Sequence, residues 1–237
     1  MKRRPVHDLP LTIRENPRAR RVLIKLVPRT GLVVVVPQGF DTSQVTSILA
    51  EKQNWIVRTR ERMEAEGVRF SRSAELPDTL DFPVMERQWQ VLYLPKPGNL
   101  RLTTNATRLI VSGPQHDPYA VQEALARFVA RQAKEHLPPL LHAVSERLGL
   151  PFESVRIRTQ KSRWGSCSAR KTISLNCKLL FLPPELVEHL MIHELCHTRH
   201  MNHSPQYWQL VRQFQPQCRH LEKRLGSALS LVPDWMP

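Results

Sequence analysis

The stretch His193-Glu194-Leu195-Cys196-His197 constrains this chain more than any other, and His203 follows it. Two histidines four residues apart on a helix project from one face, one turn above the other. Both imidazoles can then reach a single Zn²⁺. Glu194, beside the first histidine, sits next to such an ion rather than on it, placed to take a proton from a water there.

A third ligand is required, and two histidines compete for the role. His200 lies on the same helical face, but at a rise of about 1.5 Å per residue it stands about 10 Å from His193, too far for one tetrahedral ion. His203 follows Met201-Asn202, where asparagine tolerates a left-handed turn, and precedes Ser204-Pro205, an N-cap with proline at the first helical position. The spacing therefore predicts a first helix ending near Asn202 and a return of the chain that brings His203 back. His203 is the expected third ligand and His200 the reserve, with the fourth position left for water or substrate.

The chain of 237 residues can bury a substantial core, and its 41% hydrophobic content marks it as globular rather than disordered. The basic start Met1-Lys2-Arg3-Arg4 is not followed by an apolar run of signal-peptide length, and nothing later approaches a membrane span. The four cysteines Cys167, Cys177, Cys196 and Cys218 contain no Cys-x-x-Cys pair. They read as reduced packing thiols of a cytoplasmic protein, with a Cys167–Cys177 metal pair as a minor alternative.

The net charge of +14 is unevenly placed. Arg156, Arg158, Lys161, Arg163, Arg170, Lys171 and Lys178 fall between Ser154 and Pro184 with no acid among them. The first thirty residues hold nine Lys/Arg against Asp8 and Glu15. Such fields favour polyanions, whether nucleic acid or nucleotide phosphates; a solubilising surface is the bland alternative, at least as good for the first cluster.

The pattern of elements implies an α+β fold. Residues 1–20 read as a frayed lead-in. Val22–Val27 and Leu32–Val36, separated by Arg29-Thr30-Gly31, predict a hairpin. Asp41 and Gln44 form a capping box for one helix running to Gly67 against that hairpin, with Trp55 in the core. Gln88–Leu94 predicts a mostly buried strand, and Asn99–Thr104 with Arg108–Ser112 a second hairpin. A boundary near Gly113-Pro114 would separate a β-rich scaffold, 1–113, from a domain at 114–237. Asp117 opens a long helix that Pro138-Pro139 should kink or split before Gly149 stops it. Val155–Arg158 and Thr172–Asn176 are strands, Pro184 opens the metal helix, and two helices, Tyr207–Phe214 and Arg219–Leu225, close the chain. A strand-then-helix order would set the metal beside a sheet edge.

Ser162-Arg163-Trp164-Gly165-Ser166-Cys167, Asn176, the His193–His197 pentapeptide, Asn202-His203-Ser204 and Tyr207-Trp208 together resemble the YgjP-like metallopeptidase family, which is related to the SprT-like and WLM zinc peptidases of the gluzincin-like group. The resemblance is closest from Val155 to Trp208 and looser upstream. It implies a zincin-like helical/β domain, zinc on His193, His197 and His203, and Glu194 as the catalytic glutamate. Metzincins share the step to the third histidine but carry glycine where this chain has His200. Some members of the family resemble nucleoside triphosphate (UTP) pyrophosphatases, so the resemblance implies a metal-dependent hydrolase more firmly than a substrate.

Three functions follow as expectations. The first is a peptidase with one Zn²⁺, with Glu194 as general base and Arg163, Trp164, Ser166 and Asn176 as the nearest candidates for substrate contact or oxyanion stabilisation. The second is a UTP pyrophosphatase at the same metal site. The basic run favours it, and the lack of an acidic cluster for Mg²⁺ disfavours it. The third is a nucleic-acid-binding module with structural zinc, which three histidines beside a glutamate argue against.

Overall fold

A computed structural model of the chain describes residues 9–27, 30–65, 70, 75–160 and 163–237. The fold is α+β, with ten strands and six α-helices among the described residues. It divides into two compact units, one reaching Ser73 and the other spanning Ala74–Met236. Among the described residues no helix is long and apolar enough to cross a membrane.

In the first unit the strands β1 (Leu11–Glu15), β2 (Leu23–Val27) and β3 (Gly31–Val36) form a sheet of order β1-β3-β2. The valine-rich β3 is central, pairing antiparallel with β2 and parallel with β1. The expected hairpin is therefore present, although Arg29 of its turn lies outside the described residues. β1 replaces part of the expected frayed lead-in. Its side chains are largely exposed, so pairing with β3 rather than burial holds it. Gly31 adopts φ +89°, and a Cβ there would come within 2.3 Å of the Pro10 carbonyl oxygen, so only glycine fits where the two segments converge.

Asp41 is an N-cap as expected, but the bonds are not those of a capping box: its carboxylate accepts from the Ser43 amide and from the Gln44 side chain, and the turn it caps is a 3₁₀ turn, Thr42–Gln44. Two helices follow instead of one, α1 (Val45–Glu51) and α2 (Gln53–Ala65), with Lys52 between them at φ −92° and ψ 4°. The helix was expected to run to Gly67, which lies outside the described residues. Ile56, not Trp55, fills the core with Leu32; Trp55 is 45% exposed.

The second unit holds a four-stranded sheet of order β4-β5-β7-β6, made of β4 (Thr79–Phe82), β5 (Arg87–Pro95), β6 (Arg101–Thr104) and β7 (Arg108–Gly113). Alternate residues Leu80, Phe82, Trp89, Val91, Leu109 and Val111 share one buried face. They join Leu125, Phe128 and Val129 of α3 (Pro118–Leu148) in one hydrophobic cluster that reaches Trp235. The expected division at Gly113-Pro114 falls inside this unit, because a sheet with a single apolar face must bury it, and α3 is its cover.

α3 is not split at Pro138-Pro139. Each proline leaves one carbonyl without its helical partner, those of Lys134 and Glu135, and both residues are exposed, so water can take those acceptors. Ala133, Leu137 and Leu141, all fully buried, fasten the helix on either side.

A second sheet, of order β8-β10-β9, meets the helix Pro184–Cys196 through its strand β9. Its strands are β8 (Ser154–Arg158), β9 (Gly165–Cys167) and β10 (Thr172–Asn176). β10 pairs parallel with β8 and antiparallel with β9, which leaves β9 on an edge. Helices α4 (Pro184–Cys196), α5 (Pro205–Phe214) and α6 (Cys218–Ser227) complete the unit.

Candidate metal centre

α4 opens on Pro184 at its first position with Glu185 in the first turn, both favourable there. It is apolar nearly all round, with Leu186, Val187, Leu190, Met191, Ile192 and Leu195 buried, so it runs through the core rather than over it. The helix stops at Cys196, six residues before the expected end near Asn202, and His197 is its C-cap. His193 and His197 therefore occupy its last turn. The chain then turns, and Ser204 caps α5 by accepting from the Tyr207 amide at 3.4 Å, with Pro205 next, as the sequence predicted.

This return brings His203 to the first two histidines. One ligand nitrogen from each of His193, His197 and His203 lies within 4.8 Å of the others. The Nε2 atoms of His203 and His193 are 3.2 Å apart. Two ligands of a tetrahedral zinc, with bonds near 2.0–2.1 Å, stand about 3.3 Å apart, so the spacing fits that ion. Burial lowers the pKa of His197 and of His203, which favours the neutral imidazoles that a metal requires. His200 takes a different part: its backbone carbonyl sits 3.0 Å from His197 Nδ1, which orients that ring and leaves Nε2 for the cluster.

A shell surrounds the three rings, in which Tyr207 and Trp208 belong to the motif the sequence showed, while Glu222 and His189 do not. Tyr207, fully buried, stacks on His197 with centroids 4.5 Å apart, and its hydroxyl donates to the His193 carbonyl oxygen at 3.1 Å. Trp208 stacks on His203 at 5.7 Å. Glu222, from α6, lies 3.5 Å from His193 Nδ1 and 2.9 Å from Nε2 of the buried His189, whose Nδ1 meets Gln215. His189, then His193, hold the Glu222 carboxyl far below the usual carboxylate range. The local signal for Glu222 was slight: it is the one acid in the run Arg219–Arg224, next to the buried Leu221.

Glu194 is 4% exposed, and burial pushes its carboxyl up to about 7. Its Oε1 lies 2.6 Å from where a Cβ on Gly165 would be, so the edge strand β9 passes directly against it. Gly165 faces Glu194, and side chains alternate along a strand, so Ser166 projects from the opposite face of the sheet. The Ser168 amide donates to the Thr172 carbonyl, and the Asn176 amide to the Trp164 carbonyl. By the antiparallel alternation, Ser166 and Ser174 form the bonded pair between them, and the backbone groups of Gly165 and Cys167 face outward from the free edge.

Two of the four candidate substrate residues have their donors committed within the chain. Trp164 Nε1 donates to the Leu225 carbonyl at 3.1 Å. Both amide hydrogens of Asn176 go to the carbonyls of Gln160 and Arg163 at 2.8 Å each, and its oxygen accepts from the Lys178 amide, so it braces the loop before β9. Arg163 is exposed, and Ser162 and Lys161 lie outside the described residues. The basic run is dispersed: Arg156 and Arg158 are on β8, the edge opposite β9, and Lys178 is buried. All four cysteines are free, and burial pushes the Cys167 and Cys177 thiols up to about 11 and Cys196 to about 12. Cys167 and Cys177 are part of no metal-ligand cluster among the described residues.

Comparison with known proteins gives the family. The model of the YgjP-like, metallopeptidase domain family matches residues 20–228. Among solved structures, the chain is similar to the metallopeptidase zymogen of Pyrococcus abyssi abylysin, with 30% identity over 39% of this chain and 93% of that one, at a TM-score of 0.36. The metallopeptidase zymogen of Methanocaldococcus jannaschii jannalysin is 21% identical over 39% of this chain and 95% of that one, with a TM-score of 0.35. No curated protein matches. With the family model extending over nearly its whole length, the chain belongs to the YgjP-like metallopeptidase family and is a metal-dependent hydrolase.

Proposed function

We propose that the chain is a peptidase in which His193, His197 and His203 hold one zinc ion and Glu194 is the general base. The convergence of the three histidines, with Glu194 poised between them and the edge strand, carries this reading. Zinc, when bound, supplies a Lewis acid that polarises a carbonyl and makes water acidic near neutral pH. The Glu194 carboxylate takes a proton from the attacking water and passes it to the leaving amine. Burial raises its proton affinity above that of an exposed carboxylate, as a group that must accept a proton requires.

A peptide has a natural place to lie. The outward backbone groups of Gly165 and Cys167 can pair with an extended chain as a further strand of the β8-β10-β9 sheet, which would hold a scissile bond beside Glu194. Gly165 keeps that approach open, since any side chain would displace the carboxylate. Asn176 and Trp164 act through the backbone, fixing the segment that leads into β9. The four free thiols fit a reducing compartment such as the cytoplasm.

The test compares zinc-loaded wild type with Glu194→Gln on a peptide library, UTP and labelled DNA. Peptide cleavage lost in Glu194→Gln, with zinc retained, is the expected result. Pyrophosphate release from UTP without peptide cleavage would replace this reading with the nucleotide one. Salt-sensitive DNA binding with no turnover would replace it with the binding-module one.

A further inference from the structure

A cavity of about 600 Å³ opens between α5 and α6, lined by Pro205, Trp208, Arg212, Arg219, Glu222 and Lys223. Two of these residues also belong to the shell of the metal centre. Trp208 stacks on His203, and its ring centroid is 6.1 Å from that of His193. Glu222 turns its carboxylate to His189 and His193. The cavity is thus one side chain away from the three imidazoles.

Its charge is one-sided. Among the described residues none of Arg212, Arg219 and Lys223 has a carboxylate within ion-pair distance, whereas the neighbouring Arg224 pairs with Glu185 at 2.8 Å. Glu222, the one acid among the described residues of the wall, is committed to the two histidines. Three exposed cations beside the apolar surfaces of Trp208 and Pro205 give the cavity a positive field that favours an anion. They match a ligand with a short aliphatic stem and a carboxylate head, which guanidinium groups can hold in a two-pronged fashion. Three cations set against the Glu222 carboxylate are too few to balance a triphosphate, which carries roughly four negative charges near neutral pH.

We infer that the α5–α6 cavity is an anion subsite that receives a carboxylate of the peptide substrate, held by Arg212, Arg219 and Lys223. This rests on the peptidase reading above and gives it a specificity: the enzyme selects peptides carrying an acidic group at a fixed distance from the scissile bond. The groups are partly solvated, so the selection weakens as salt rises.

The experiment uses the zinc-loaded full chain and fluorogenic peptides identical except for Glu, Gln or Lys at each position flanking the scissile bond. The Gln peptide is also made with a free and an amidated C-terminus. Wild type should cleave the Glu peptide about tenfold better in kcat/KM than the Gln peptide at one position. That ratio should collapse in Arg212→Ala and pass to the Lys peptide in the double variant Arg219→Glu/Lys223→Glu. A gain confined to the free C-terminus supports the subsite and identifies its occupant as a chain end. A Glu:Gln ratio near one throughout for wild type, with no gain from the free terminus, overturns the inference, as does a preference that survives the charge reversal.

If no peptide is cleaved, the peptidase reading fails by itself, and binding then decides the subsite. Trp208 fluorescence, isolated by difference from Trp208→Phe, is titrated with N-acetylglutamate amide and with UTP in the Glu194→Gln protein. A saturable response to the glutamate derivative that the charge reversal abolishes upholds the subsite. No response, or tighter binding of UTP, overturns it.

Discussion

Gly165 and Glu194 meet so closely that a methyl group on the glycine would stand 2.6 Å from the carboxylate oxygen. Gly165 does not adopt a positive φ, so the glycine is required by the space and not by its backbone. Gly165→Ala should therefore keep the fold and the bound zinc but push Glu194 aside. A shift approaching 1 Å at a general base costs about 10–100-fold in kcat. Steady-state kinetics alongside zinc analysis checks this; full activity in Gly165→Ala would mean that Glu194 has another position open to it.

Glu222 orients rather than binds. Its carboxylate stands by His193 Nδ1, the nitrogen on the far side of the ring from the one shared with His203. Glu222→Gln should weaken zinc binding about 10–100-fold, as loss of a carboxylate behind a metal-bound histidine does. Competition with a chromophoric chelator measures it, and an unchanged affinity would remove Glu222 from the site.

The contrast between Glu194 and Glu222 shows what the sequence could and could not reveal. Glu194 is legible because helical geometry fixes it between two histidines of one turn, a purely local relation. Glu222 comes from a separate helix, and only the packing of α6 on α4 brings it near. The same division separates β3, whose valines declare a buried strand, from β1, whose exposed side chains say little and whose partner is a parallel strand reached past β2. Ser204-Pro205 marked the start of α5 correctly. The end of α4 was misplaced because no glycine or proline punctuates Thr198–Asn202, and the turn there is imposed by the return of His203.

Burial of Glu194 has a consequence for the metal-free protein. The folded state holds this carboxyl at about 7, against an ordinary value of 4.5, so the unfolded chain releases its proton first as pH rises. The contribution of this one carboxyl is thus fully present below about pH 4.5 and declines through pH 7, by up to about 3 kcal/mol. Glu194→Gln removes the ionisation. In chelator-treated samples its urea midpoint should exceed wild type at pH 8, with little difference at pH 5. An equal increment at both values would contradict the sign.

The two prolines in α3 are a cost that the buried leucines offset. Pro139 is exposed, and replacing it with alanine restores an amide for the Glu135 carbonyl. Pro139→Ala should stabilise the protein by about 1–2 kcal/mol, less than the full helix-propensity gap because the unfolded chain also gains freedom. Denaturant unfolding would show this as a higher midpoint. A lower one would mean that the proline ring packs in a way alanine cannot replace.

The convergence of three imidazoles on one ion is most directly tested by calorimetric zinc titration of wild type, His203→Ala and His200→Ala. One zinc per chain is expected for wild type and for His200→Ala, with affinity reduced at least about 100-fold in His203→Ala. Wild-type affinity in His203→Ala, or loss of the ion in His200→Ala alone, would contradict the account.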